Sequence, residues 1–227
     1  MAKKKNNITE EQFAAVENTL SKTEQWVENN YKTLLIGVGA IVVVILLLNF
    51  AKSSNDSSNI KAQDNMFFSV NYFERDSFNL ALNGDGQHYG LLEIIDDFGS
   101  SDAGNLAYYY AGASYLNLGD NENAVNYLSK FSANDQIVSS VALGSLGDAY
   151  MNLGETDKAI ANWKKAANNS ENAFTSPLYL LRAAMALEDQ GNTKEALKLY
   201  QIIKDKYSSS DQGGDIDKYI TRASLKN

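Results

Sequence analysis

The sequence predicts an all-α protein: one apolar helix, then a stack of helical pairs closed by a capping helix. Two observations carry this. Thr33–Ala51, TLLIGVGAIVVVILLLNFA, runs for 19 residues without a charge, between Lys32 and Lys52. Further on, one spacing of small and bulky residues recurs three times, at intervals of 35 and 37 residues. The first observation predicts a membrane span. A helix of that length rises about 28 Å, close to the thickness of a bilayer's hydrocarbon core. Its backbone groups are satisfied within the helix, as lipid demands. A strand of that length is far outside the usual range.

The span divides the chain into a tail, residues 1–32, and a domain beyond it. The tail holds five lysines and five glutamates, so the formal excess of −8 lies after the span. An acidic domain repels phosphate, and no nucleic-acid partner is expected. The chain has no cysteine, which excludes disulfides, thiolate chemistry and a lipid-modified cysteine. Lys3, Lys4, Lys5, Lys22 and Lys32 precede the span, and Lys52 and Lys61 follow it. The triple lysine places the N-terminus in the cytoplasm and the domain outside it. The apolar segment starts too late for a cleavable signal peptide, and no small-residue cleavage site follows Leu48; an uncleaved signal anchor fits better.

Within the tail, Thr9 and Gln12 make a capping box. Phe13, Val16, Leu20, Thr23 and Val27 then recur at spacings of three and four, one face of a short amphipathic helix ending near Asn30. It is read either as a docking helix or as an extension of the membrane helix. Trp26 and Tyr31 suit an interfacial aromatic belt. Residues 52–59, KSSNDSSN, read as a polar linker. A helix is expected from Ile60 to about Leu82, a turn over Asn83–Gly90, and a helix over Leu91–Phe98. The glycines of that turn do not match a phosphate-binding spacing and no strand precedes them. His88, the single histidine, sits there without the partners a metal site needs.

The recurring pattern follows. Gly112, Tyr115, Gly119 and Ala124 are matched by Gly147, Tyr150, Gly154 and Ala159, and then by Ala184, Leu187, Gly191 and Ala196. Three copies in register resemble the tetratricopeptide repeat, a helical pair stacked into a solenoid. The small residues Gly112, Gly147 and Ala184 are expected where the first helix of a pair (helix A) meets the second (helix B). Ala124, Ala159 and Ala196 are their counterparts on helix B. Gly119, Gly154 and Gly191 end helix A in a left-handed conformation. Leu128, Trp163 and Tyr200 are expected to fill the gap between units. The family's closing proline is missing from each copy; the single proline, Pro177, suits the first turn of the third helix A. The domain is therefore divided into a divergent unit at 60–98, repeats at 105–138, 140–173 and 177–210, and a capping helix at 213–227 after the breaker Gly213-Gly214. About nine helices are expected after the span, and no sheet.

No enzyme is expected. Asp96 and Asp97 are adjacent and do not share a helix face, no nucleophile–base set is visible, and no cofactor or metal is implied. The resemblance to the repeat family implies a concave groove lined by helix A. In this register it carries Leu106, Tyr109, Ala113 and Leu116, then Val141, Gly144, Asp148 and Met151, then Leu178, Leu181 and Met185. These rows lack the lysine, arginine and asparagine with which some members clamp a peptide's carboxylate. They suit apolar segments of client chains.

The arrangement of tail, single span and acidic repeat domain resembles the YfgM-type proteins. The span, the segment DFGSSDAGNLAYYYAGASYLNLGD and the repeats after it carry the likeness, and the segment's spelling is similar to Bacteroidota relatives. The resemblance implies a bacterial inner-membrane protein with a cytoplasmic N-terminus and a periplasmic domain. It implies an adaptor or holdase beside a SecYEG-type translocon and a PpiD-type prolyl isomerase, touching lipid through residues 33–51. The alternative is a cell-envelope scaffold without clients, serving division or outer-membrane assembly.

Overall fold

The computed structural model describes Trp26, residues 29–30, residues 43–46 and residues 55–226 apart from Asn134. The chain forms two compact units, Met1–Ser54 and Asn55–Asn227. In the first, the described residues are helical, and Trp26 and Val43, Val44, Ile45 and Leu46 are exposed. Most of the apolar run 33–51 and of the amphipathic segment before it lies outside the described residues. Among the described residues no helix is long and apolar enough to cross a membrane.

The second unit is all helix among its described residues. In chain order it has α1 (residues 55–74), α2 (Phe78–Asn83), α3 (Leu91–Phe98), α4 (Asp102–Asn117), α5 (Asn121–Leu128), α6 (Gln136–Asn152), α7 (Thr156–Asn169), α8 (Thr175–Asp189), α9 (Thr193–Lys206), α10 (Asp211–Gly214) and α11 (Ile216–Ser224). Each of α4, α6 and α8 packs on the helix before it and the helix after it. The same three helices also touch in sequence, α4 with α6 and α6 with α8. This makes two layers, helix A inside one and helix B inside the other.

The three A-to-B turns are built alike. Gly119, Gly154 and Gly191 stand at φ of 80°, 77° and 79°. The residue after each donates its N–H back across the turn: Asp120 to the Tyr115 carbonyl at 2.9 Å, Glu155 to Tyr150 at 2.9 Å, Asn192 to Leu187 at 2.8 Å. These bonds satisfy carbonyls that a helix end would leave unpaired. Asp120, Glu155 and Asn192 are at the same time the first capping residues of α5, α7 and α9. One glycine thus ends one helix and positions the start of the next.

The close contacts follow the small residues. A Cβ on Gly112 would stand 2.5 Å from Leu128 Cγ, and one on Gly147 2.6 Å from Trp163 Cδ1. Leu128 and Trp163 therefore fill the space between helices A and B of their own unit, and each also shares a core cluster with helix A of the next unit, Leu128 with Leu146 and Trp163 with Tyr179. The reason is geometric: each lies four residues after the buried alanine of helix B and shares its face.

Four expectations are corrected. Eleven helices stand among the described residues after Ser54, where nine were expected. One helix was expected from Ile60 to Leu82, but the chain breaks at Arg75–Ser77, where Asp76 adopts φ 57°. Gly213 and Gly214 do not break a helix but sit in the turn of α10, capped by Ser210 Oγ accepting from the Gly213 N–H at 3.1 Å. Part of the expected linker is also ordered. Residues 55–59 are helical, and Asn59 Oδ1 accepts the Ala103 N–H at 2.8 Å, helping to cap α4.

The end of the stack is held electrostatically. Glu188 of α8 is buried, with its side chain 1% exposed. It accepts from Arg222 Nε at 3.0 Å, Arg222 Nη2 at 2.7 Å, Lys226 Nζ at 2.8 Å and the Tyr200 hydroxyl at 3.0 Å. Arg222 belongs to α11 and Lys226 follows it, so this carboxylate docks the capping helix. Hydrogen bonds from Arg222 hold its pKa down to about 2 from an ordinary 4.5; burial opposes this, and Lys226 and Tyr200 add to it. A carboxyl depressed in the folded state contributes stability that is complete above pH 4.5 and is lost as pH falls towards 2. Urea titrations at stepped pH should show stability falling steeply across that window. In Glu188→Gln that part of the slope should vanish, and at neutral pH the variant should be weaker by about 1–3 kcal/mol, because its amide cannot match the charge-assisted bonds.

Candidate functional site

The expected groove residues all lie on helix A, but they are not equivalent. Ala113 and Gly144 are buried in helix contacts and present almost no surface. A Cβ on Gly144 would stand 2.0 Å from Tyr179 Cζ, so Gly144 is where α6 meets α8. Leu106, Tyr109, Leu116, Val141, Met151, Leu178 and Leu181 are half-buried, and Met185 is 39% exposed. Met151, Leu178 and Leu181 pack against one core cluster, which contains Trp163, Tyr179 and Leu180. Tyr109 and Leu116 pack on a second cluster, with Leu146 and Ala149. Leu106 packs on a third, with Met66 and Leu91. Leu106, Tyr109, Leu116, Met151, Leu178 and Leu181 are thus braced from behind while their edges stay open.

Asp148 is not a free acid in the row. It accepts from Trp163 Nε1 at 2.9 Å and is ion-paired with Arg182 of α8, whose Nη1 reaches both carboxylate oxygens. The Arg182 guanidinium also lies over the Tyr179 ring, 5.8 Å from its centroid. Burial pushes the Tyr179 hydroxyl up to about 12, and the Asp148 and Tyr109 charges add to this while Arg182 opposes it. Arg182 is not one of the row positions, but it reaches the row through Asp148. It is neutralised by Asp148, so it is not available as a simple carboxylate clamp.

Arg182 stands 34 residues from Asp148, three short of the 37-residue interval between their units, so a repeat-length comparison pairs Asp148 with Met185. Several polar contacts obey the same rule. Asn152 donates to Asn121, Gln190 to Asp157, Lys164 to Glu195 and Lys206 to Glu171, at separations of 31 to 35 residues. Each separation falls a few residues short of the repeat interval, so the partner of a surface residue lies in the neighbouring unit but not at the equivalent position.

The loop around His88 is structural. Asp85 Oδ1 accepts the N–H groups of Gln87 and His88 at 2.8 and 2.7 Å, and Asp85 Oδ2 takes the Tyr72 hydroxyl at 2.8 Å and lies 2.9 Å from His88 Nδ1. These bonds, led by that with His88, hold the Asp85 carboxyl well below the usual carboxylate range. The imidazole stacks on Phe68 with ring centroids 3.6 Å apart. Among the described residues no group of three or more metal-ligating side chains could hold an ion.

Two family profiles match the chain, both described as tetratricopeptide repeat. One matches residues 106–135 and again 179–210, and the other matches residues 141–172. No curated protein matches the chain. The matched stretches fall on the pairs α4–α5, α6–α7 and α8–α9. Such repeats form a protein–protein interaction module. The chain therefore contains three consecutive tetratricopeptide repeats between residues 106 and 210.

Proposed function

We propose that this protein is a membrane-tethered adaptor or holdase of the YfgM type, with no enzymatic activity of its own. Its span, residues 33–51, sits in the bacterial inner membrane, its N-terminus is cytoplasmic and its repeat array is periplasmic. It works beside a SecYEG-type translocon and a PpiD-type prolyl isomerase, holding apolar segments of client chains. One observation carries this reading: the helix-A side chains are braced by the core yet keep open apolar edges, most openly at Met185. Covering those edges with a partner's apolar side chains removes surface from water, which is the main favourable term in such binding. The uncharged run between Lys32 and Lys52 supports the tether.

Two measurements test it. Alkaline phosphatase fused after Asn227 is expected to be active, and an inactive fusion reverses the orientation. Purification in mild detergent followed by mass spectrometry is expected to return translocon and isomerase subunits. Recovery of envelope-assembly proteins in their place contradicts the translocon assignment.

A further inference from the structure

Two cavities meet at the first turns of α4, away from the centre of the helix-A row. The first, about 560 Å³, is walled by one face of α1, including Met66, Phe67, Val70 and Glu74, and by Asp102 and Leu106. The second, about 480 Å³, lies between α4 and the start of α6, and takes in Asp102, Leu106, Phe131, Asp135 and Val138. Asp102 and Leu106 belong to both, so the two cavities form one double cleft across a shared ridge. Each is within the size range of pockets that hold a ligand group. The walls are largely apolar. Phe67 is 66% exposed, and with its neighbour Phe68, 38% exposed, it gives the cleft an aromatic edge.

The charge around the cleft has one sign. Glu74, Asp102 and Asp135 stand on its lining, and no lysine, arginine or histidine lines either cavity. None of the three carboxylates is in an ion pair among the described residues. Asp135 is used as a cap, accepting the N–H groups of Ile137 and Val138 at 2.8 and 2.6 Å. Asp102 lies in the first turn of α4, where a carboxylate is favoured. Glu74 is different: it ends α1, where the helix dipole is negative and disfavours an acid. A cation brought by a partner would relieve that repulsion. Lys61 within α1 and Arg75 just after it line neither cavity.

We propose that this double cleft docks a basic, apolar segment of a partner protein. Bulky apolar side chains enter beside Phe67 and Leu106, and a lysine or arginine next to them meets Glu74 and Asp102. The proposal rests on the protein-binding reading above and names the chemistry of the segment. An anionic surface is disfavoured by the three carboxylates. A second copy of the chain, at net charge −8, is disfavoured by like-charge repulsion.

The test uses the full chain in detergent and a fluorescently labelled peptide of alternating lysine, leucine and phenylalanine. A matched peptide has glutamate for lysine. Phe67→Ser and Glu74→Lys change exposed side chains, so their circular dichroism and melting should match the parent. Each is expected to weaken the lysine peptide about tenfold or more, and the glutamate peptide should bind the parent at least about tenfold more weakly. Raising salt from about 0.05 M to about 0.5 M should weaken the lysine peptide and bring the two peptides closer together. Lys198→Ser, on the exposed face of α9, should leave the lysine peptide's affinity unchanged. If the peptide binds and only Met185→Asp weakens it, the double cleft is wrong while the repeat array remains a protein-binding module. If neither peptide binds at all, both readings fail. Peptide-free self-association that Phe67→Ser abolishes would make a second copy the occupant and overturn the proposal.

Discussion

Trp163→Ala is expected to lower the stability of the repeat array by about 3–5 kcal/mol, a large part of the roughly 5–15 kcal/mol that holds a typical domain. Three losses combine. Trp163 is 4% exposed and belongs to the largest core cluster, so its removal opens a cavity between α6 and α7. Gly147 has no side chain with which to fill that space, since a Cβ there would already touch the ring. The indole N–H also reaches the Gly144 carbonyl at 3.2 Å and Asp148 Oδ1 at 2.9 Å. Trp163→Phe separates the effects, because it keeps most of the ring volume and deletes the donor. It should cost about 1 kcal/mol for the missing hydrogen bond, plus a packing loss well short of the alanine variant's. Urea unfolding followed by circular dichroism measures all three proteins. An alanine variant as stable as the parent would mean that the α6–α7 packing described above is wrong.

Gly144→Ala is expected to destabilise by about 1–3 kcal/mol, although alanine is the better helix former by about 1 kcal/mol. The clash wins because the added methyl would sit 2.0 Å from a Tyr179 ring that is only 5% exposed and cannot withdraw. The damage should be local to the contact between α6 and α8. Tyr179→Leu removes the obstructing ring, so the double variant should be more stable than the sum of the single effects predicts, a coupling that a double-mutant cycle reads directly. Additivity within about 0.5 kcal/mol would show that Gly144 and Tyr179 do not press on each other. The same contact connects stability to function, because it sets the spacing of Asp148 and Arg182 across the helix-A face.

What was legible in the sequence were features that backbone geometry forces. A left-handed residue after helix A demands glycine at little cost, and Gly119, Gly154 and Gly191 supply it. Close helix approach demands small residues, so Gly112, Gly147 and the buried alanines marked the packed faces. Less legible was which neighbour a large residue meets. Spacing gives a face and not a partner, so it did not show that Trp163 packs on Gly147 of its own unit as well as sharing a cluster with α8. The break in α1 carries no glycine or proline signal, since aspartate tolerates the left-handed region at Asp76. Phe73 and Phe78 meet across that break with ring centroids 5.5 Å apart, a contact that only the fold reveals. Asn59 was read as linker because the residues that make flexible polar segments also make good caps. At the candidate site, the rows were readable on helix A, but periodicity alone could not separate Ala113 and Gly144 from the open edge at Met185. Arg182 was missed because its partner lies in another unit.

The central claim is that α4, α6 and α8 present the surface that takes a protein segment. Hydrogen–deuterium exchange of the full chain in detergent, with and without a saturating apolar peptide, tests it most directly. Added protection is expected in α4, α6 and α8, and little change in α5, α7 and α9. Protection confined to α5, α7 and α9, or none at saturation, would contradict it.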